Sequence, residues 1–427
     1  MYENLLAQDS IRQELIRMLI SGEIPPAMLF SGPPASGKLT AALETARVLS
    51  CTKTGHWNCA CEDCKRHRYL VHTDLLLFGK RSFPIEIAAA RDVLIEKPGK
   101  ATAYLFTRSV RKLLSRFNPV LWQGEEQKAD RASPIIQEIE EALDTINPET
   151  ISENTLNDKT TKIIDDIKLA CANLEPFVPE TVSVTMVRNM DNWVHLAPSG
   201  QRKTVIIENA DRMQDAARNA MLKTLEEPPE SVRFILLTSR RASMIATVLS
   251  RSRIFSFSQR DAKATRIILE RVFKSNSDAD SLSSFFESKM PFPPSEAIRF
   301  AELIAGLFLL DYAKTGLPIP EGYCSKIARQ AAASSKAMRD VLEELSEATK
   351  SFGSKDKAFA NSFLQVMKSL LLVFSHILAE SGENPELMLL IDRWSNHVRE
   401  AAVQYGSLNR SPELLLTVLI STFGDRP

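Results

Sequence analysis

The apolar run Ala27-Met28-Leu29-Phe30 leads almost directly into Gly32-Pro33-Pro34-Ala35-Ser36-Gly37-Lys38, and residues 39–49 then carry helix formers with few breakers. A strand, a glycine-containing turn and a helix in that order severely restrict the fold. Backbone N–H groups of the turn, the helix N-terminus and the lysine ammonium converge on phosphate oxygens only when a buried strand aims the turn and a helix begins at its end. The pattern predicts a nucleotide-binding α/β module. Upstream, residues 15–20 have helical spacing that breaks at Glu23-Ile24-Pro25-Pro26. Further core strands are predicted at Asp74-Leu75-Leu76-Leu77-Phe78, at 204–207 and at 234–237, the last two flanking a helix from about Asp215 to Leu225. Such alternation argues for a mostly parallel sheet wrapped by helices.

A chain of 427 residues exceeds one ordinary core and predicts roughly two to four domains. Its 53 basic and 53 acidic residues cancel, so no global field draws it onto nucleic acid or an anionic membrane. Any DNA contact then falls to partners or to local patches such as Lys65-Arg66-His67-Arg68 and Arg240-Arg241, neither of which interleaves aromatic residues for base stacking. No stretch reads as the roughly 20 apolar residues that cross a bilayer, and Met1-Tyr2-Glu3-Asn4 opens no secretory signal. The expectation is a cytoplasmic protein with no membrane partner.

Four of the six cysteines crowd together as Cys51-x7-Cys59-x-Cys61-x2-Cys64, which in a reducing compartment favours a metal site over disulfides. Four thiolates suit the tetrahedral preference of zinc and leave no open position, so the expected role is structural. His56 could replace one thiolate. Cys171 and Cys324 lie alone and read as ordinary buried cysteines.

Helical pattern dominates residues 87–94, 104–117, 135–146 and 161–174, with polar stretches at 122–133 and 147–159 read as loops. This insert, about 81–180, reads as a small helical subdomain grafted onto the sheet edge or as a partly disordered lobe. From Gln259 the pattern stays helical, at 262–273, 281–287 and 295–308, interrupted by Pro291-Phe292-Pro293-Pro294. Beyond Leu317-Pro318-Ile319-Pro320 come amphipathic segments at 325–346, 356–380 and 412–423.

Between the two later strands stands Asn219-Ala220-Met221-Leu222-Lys223-Thr224-Leu225-Glu226-Glu227-Pro228-Pro229. Taken with the phosphate loop, this stretch resembles the clamp-loader subunits of bacterial DNA polymerase III, the gamma/tau and delta-prime proteins of the AAA+ class. The likeness rests on specific motifs between about Asn4 and Phe78 and between Val187 and Gln259. It implies an α/β AAA+ P-loop core over 1–258 carrying a zinc-binding module at 51–64, a helical lid over 259–316 and an all-α collar-like domain over 317–427. The insert departs from the relatives, whose corresponding gap is short. The cysteine module resembles theirs with one residue fewer between Cys59 and Cys61.

The resemblance also assigns roles. Gly32, Pro33, Pro34, Ala35, Ser36, Gly37 and Lys38, with Leu39 and Thr40, would cradle ATP. The family places a magnesium-binding hydroxyl immediately after the lysine, where this chain has Leu39; Thr40 lies about 100° farther round the helix. At the end of the strand 204–207 the family carries an acidic pair, replaced here by Glu208-Asn209. Glu208 can serve a metal through water, whereas an amide cannot take a proton from water. Asp211, two residues farther on, could substitute, though its direction would be different. Thr238 matches the polar sensor of the terminal phosphate, and Ser250-Arg251-Ser252 resembles a signature whose arginine reaches into a neighbour's nucleotide, a task suited to a permanent, forked cation. At the lid sensor position Ser295 stands where an arginine is expected, with Arg299 one turn on.

These departures weaken hydrolysis and spare Arg251, a combination that looks delta-prime-like. The implied protein is a clamp-loader subunit with weak or absent ATPase, in a hetero-pentameric ring with gamma/tau-like motor and delta-like subunits. That ring would load the sliding clamp onto primed DNA. The alternative is a gamma/tau-like motor in which Thr40 and Glu208 suffice for magnesium. An unrelated P-loop enzyme such as a nucleotide kinase accounts for neither the 219–229 stretch nor the cysteines.

Overall fold

The computed structural model describes residues 1–151, 155–290, 292–314, 316–350, 357–381, 384–408, 414–415 and 418–419. Two compact units divide the chain, Met1–Lys289 and Met290–Pro427.

Among the described residues, five strands form the sheet of the first unit: β1 (Ala27–Ser31), β2 (Leu75–Gly79), β3 (Lys203–Glu208), β4 (Val232–Thr238) and β5 (Arg253–Ser256). Their order is β2-β3-β4-β1-β5 and every pairing is parallel, with Leu29 opposite Leu236 and Ile207 opposite Leu236 on the other side. Strands covered on both faces read as unbroken apolar runs, which is why β1 to β4 stand out in the sequence. The two faces separate by alternation. Met28, Phe30, Leu75, Leu77, Ile206 and Ile235 share a core with helices Asp9–Ser21 and Lys38–Ser50. Ala27, Leu29, Leu76, Phe78, Val205 and Phe234 face the opposite way.

That second face belongs to a core continuous with the insert. Ile87 of helix Pro84–Glu96, Phe106 and Val110 of Lys100–Leu114, Ile139 and Leu143 of Ser133–Thr145, and Ile164 and Ile167 of Asp158–Leu174 are all part of it. A graft on the sheet edge is therefore not what forms: the amphipathic helices have no core of their own and bury their apolar stripes together with the sheet. Helix Glu126–Asp130 occupies part of the stretch read as loop at 122–133. Helices Ala262–Arg271 and Leu282–Ser288 complete the unit, with Leu269, Phe273 and Phe285 packed together with Val93.

Among the described residues, the second unit is helical: Pro294–Ala313, Tyr323–Ser334, Met338–Lys350, Lys357–Glu380 and Pro385–Leu408. Gly306 lets the first two approach closely, since a Cβ there would sit 2.5 Å from the Ile327 carbonyl oxygen. The segment Phe363–Glu380 is long and apolar enough to cross a membrane by length and composition. Its Phe363, Val366, Met367, Leu370, Val373, Phe374 and Ile377 are buried with Phe308 and Trp394, so packing within this unit accounts for the apolarity. The helix expected at 412–423 falls mostly outside the described residues.

Candidate functional site

Ligands of open parallel sheets sit beyond the C-terminal ends of the strands, and here the ends of β1, β3 and β4 bring Gly32, Glu208 and Thr238 to one edge. Gly32 has to be glycine: its N–H donates to the Thr238 carbonyl at 3.2 Å, and a Cβ would lie 2.4 Å from the Phe257 carbonyl oxygen. Gly37 takes the left-handed φ of 100° and starts helix Lys38–Ser50. Lys38 Nζ folds back over the turn, donating to the carbonyls of Gly32 at 2.5 Å and Pro33 at 2.6 Å and reaching Ser36 Oγ and Ser239 Oγ. Burial pushes its pKa down to about 8, although Glu208 and Asp211 pull the other way.

Leu39 is buried in the core with Tyr2 and Leu5, so the position after the lysine contributes packing and offers no hydroxyl. Thr40 is half-buried beside it in sequence. At the end of β3 Glu208 is almost fully buried, and both its oxygens are taken. Arg81 Nη1 donates to Oε1 at 2.8 Å, and Arg116 Nη2 donates to Oε2. Burial alone would raise this carboxyl; the two guanidiniums outweigh it and hold it below its ordinary value. Arg81 also pairs with Glu86 at 2.6 Å, and Lys112 donates to the same carboxylate. Asn209 adopts φ 49°, ψ 50°, a left-handed conformation that asparagine tolerates, and its Nδ2 donates to the Lys80 carbonyl at 2.6 Å.

Asp211 is also engaged. Thr238 Oγ1 donates to its Oδ1 at 2.7 Å, and Arg240 brackets Oδ2 through Nε and Nη2 at 3.0 and 2.8 Å. Arg251 ends helix Ala246–Arg251, partly exposed, with Nη2 2.5 Å from Glu226 Oε1 and Nη1 3.1 Å from the Thr247 carbonyl. Arg299 pairs within the second unit, with Glu296 and Glu344.

Sequence reasoning missed Arg81, Arg116 and Arg260. The Arg260 guanidinium donates to the carbonyls of Ala35 at 2.6 Å and Leu6 at 3.2 Å, within 2.6 Å of where a Gly37 Cβ would be. Gln8 Nε2 clamps the same turn through the carbonyls of Ser36 and Ser258. No local pattern marks their contacts with Glu208 and the turn, which span long sequence separations.

The sulfurs of Cys51, Cys59, Cys61 and Cys64 all lie within 4.8 Å of one another. Cys51 Sγ is 3.7 Å from Cys59 Sγ and 3.9 Å from Cys61 Sγ. Four sulfurs at ~2.3 Å from one tetrahedral centre stand about 3.8 Å apart, so the donor set fits zinc in type and spacing. Cys61 caps helix Glu62–Tyr69, its sulfur accepting from Cys64 N, while backbone N–H groups of Cys61 and Thr54 hold the Cys59 thiol down to about 5. His56 turns instead to Glu3, 3.0 Å from Oε1. Buried Arg47 donates to Cys64 Sγ and ties the loop down through the carbonyls of Gly55 and His56.

A five-stranded parallel sheet in this order, with the glycine-containing turn 32–38 joining β1 to helix Lys38–Ser50, is consistent with the α/β fold of the AAA+ clamp-loader class. The sequence matches the family described as DNA polymerase III, delta subunit, over residues 7–114 and 124–261, and the chain belongs to that family. Among curated relatives, the delta' subunit of Haemophilus influenzae is 37% identical over 87 residues, covering 20% of this chain and 26% of its own length. The delta' subunit of Yersinia pestis is 43% identical over 72 residues, 17% of this chain and 21% of its own. The tau subunit of Escherichia coli is 35% identical over 83 residues, 19% and 13% respectively. The chain thus spans about a quarter or less of each of these relatives. A solved gamma subunit-related protein of Thermotoga maritima, 20% identical, covers 57% of this chain and 80% of its own, with a TM-score of 0.28.

Proposed function

We propose that this chain is a delta-prime-like subunit of the DNA polymerase III clamp loader, with weak or absent ATPase of its own. It serves as a cytoplasmic scaffold in a hetero-pentameric ring of motor and delta-like subunits, and it lends Arg251 to a neighbouring ATPase while the ring loads a sliding clamp onto primed DNA. One observation carries the reading: Glu208, the acid that would stand beside a magnesium ion, has both oxygens held by Arg81 and Arg116. Freeing Oε2 would strand the buried Arg116 guanidinium, and freeing Oε1 would take from the half-buried Arg81 one of its two carboxylates. The residues around Lys38 do not fit magnesium, since Leu39 is core, Glu208 is paired, and Asp211 is engaged by Thr238 and Arg240. The phosphate loop remains a cradle for nucleotide phosphate. Four thiolates hold a structural zinc that fixes the loop between helices Lys38–Ser50 and Glu62–Tyr69.

The membership of the family and the delta' and tau relatives support the partners proposed. Radiolabelled ATP given to the purified chain tests the central point. The expected result is hydrolysis at background. Turnover by this chain alone that disappears in Lys38→Ala would make it a gamma/tau-like motor instead.

A further inference from the structure

Between the cysteine cluster and the insert lies a cavity of about 640 Å³, away from the phosphate loop in sequence and lined from five separate segments of the first unit. Trp57 and Asn58 come from the cysteine loop, Arg68 from helix Glu62–Tyr69, residues 97–102 and Tyr104 from the start of helix Lys100–Leu114, and Lys274 from the turn after helix Ala262–Arg271. Four cations, Arg68, Lys97, Lys100 and Lys274, meet a single carboxylate, Glu149.

That imbalance is not resolved locally. Glu149 is claimed by Lys100 at 2.5 Å and by the Tyr104 hydroxyl at 2.7 Å. Arg68 is nine-tenths buried, and its Nη1 donates only to main-chain carbonyls, those of Trp57 at 2.7 Å and Cys59 at 2.8 Å. Lys97 Nζ donates to the Lys274 carbonyl at 2.7 Å. Among the described residues, Arg68, Lys97 and Lys274 have no carboxylate within ion-pair distance. Lys97, Lys100 and Lys274 are exposed and Arg68 feels Glu149 at longer range, so water screens much of their mutual repulsion. The four cations against one carboxylate still leave the cavity mouth positive, and an anion there would gain from all of them. Helix Lys100–Leu114 adds the positive end of its dipole, since no side chain caps its N-terminus at Gly99.

We infer that this cavity is a second anion site, built for the phosphate of a nucleic-acid strand or nucleotide. Recognition is through charge rather than bases. Trp57 is flanked by the guanidiniums of Arg47 and Arg108, each 5.5 Å from its ring, and the Tyr104 ring lies 5.1 Å from that of Tyr69, so the aromatic residues are already engaged. A site of this kind tracks phosphate without reading sequence. It also gives the cysteine cluster a second task, because Arg68 is oriented by carbonyls of the cysteine loop.

The experiment uses the full chain carrying Lys38→Ala, which removes the phosphate-loop ammonium, and compares it with the same chain bearing Lys97→Glu and Lys274→Glu. Probes are a fluorescein-labelled oligothymidylate, a labelled duplex and ATP, each followed by anisotropy or competition across a salt series. Zinc content and thermal unfolding verify that both proteins are folded, and Lys97→Arg with Lys274→Arg controls for shape. The expected result is a loss of about tenfold in oligonucleotide affinity in the glutamate variant and retained binding in the arginine variant. The salt slope of the glutamate variant should also be shallower by about 1.4, the share of two single-strand phosphates that lysine no longer neutralises. ATP competing at the same site, with the same charge dependence, would assign the phosphate to free nucleotide. Probe binding that is absent, or identical in folded glutamate and parent proteins, would overturn the inference.

Discussion

Asn209 and Lys80 are joined by a side-chain to main-chain hydrogen bond of 2.6 Å that ties the end of β3 to the segment following β2. The donor is an amide nitrogen, and an ionised carboxylate has no proton to give. Position 209, where a base would act on water, is therefore used to brace the sheet edge. Asn209→Asp is expected to lose about 1–2 kcal/mol of stability and to gain no ATPase activity. Urea denaturation and a turnover assay of the same preparation check both parts, and a turnover that appears with the aspartate would count against the scaffold reading.

The network around Glu208 sets the response to acid. Burial alone would raise the Glu86 carboxyl, but Arg81 and Lys112 hold it at about 2, and the two arginines depress Glu208 likewise. Carboxylates whose folded pKa is depressed contribute stability above their unfolded value and lose it as pH falls through the folded one. Stability should therefore decline from about pH 4.3, the ordinary glutamate value, towards about pH 2. In Glu208→Gln the acid loss should be smaller, because part of it is already incurred at neutral pH, where leaving two guanidiniums underpaired costs about 3–5 kcal/mol. Thermal unfolding across the acid range measures this; equal pH profiles for the two proteins would contradict it.

Much of this architecture was open to reading in the sequence, and the limits have physical causes. Strands β1 to β4 each carry an apolar run of three or more residues, whereas β5, Arg253-Ile254-Phe255-Ser256, lies at the sheet edge with Phe255 as its only fully buried side chain, leaving little to detect. Helical period in the insert identified its buried stripes, since residues such as Phe106 and Val110 recur one turn apart. Period says which face is covered and not by what, so the shared core with the sheet was hidden. The turn at 32–38 and the cluster of Cys51, Cys59, Cys61 and Cys64 were legible because their residues are close in sequence. The arginines on Glu208 were not, being 127 and 92 residues away.

Arg251 rests against Glu226 in the Glu226-Glu227-Pro228-Pro229 segment, a partly exposed pair worth less than about 1 kcal/mol. Arg251→Ala should leave folding intact. In a reconstituted assembly it should lower ATPase activity by about 10³, the scale of a trans arginine. An unchanged assembly rate would remove the finger role.

For the cysteines, elemental analysis should find one zinc per chain. Cys61→Ser removes a ligand and the cap of helix Glu62–Tyr69 together, so metal content and protease resistance of the 51–69 region should fall in parallel. If protease resistance is retained after the metal is lost, the cluster does not organise this loop.

Lys38 offers a pH signature that separates a working cradle from a relic. Its ammonium is held to about 8 by burial, so a growing share of the free protein carries a neutral amine as pH rises past that value. A bound phosphate restores the favourable charge partner, raises the pKa again and takes up a proton on binding. Affinity must then weaken as pH rises through about 8, because the proton that binding requires becomes scarcer. Titrating ATP without magnesium from about pH 7 to about pH 9 should show this decline, and Lys38→Arg, charged throughout, should flatten it. Binding that is tight and independent of pH in both proteins would place the nucleotide somewhere other than beside Lys38, and the folded-back ammonium would then be a closed turn rather than a waiting ligand.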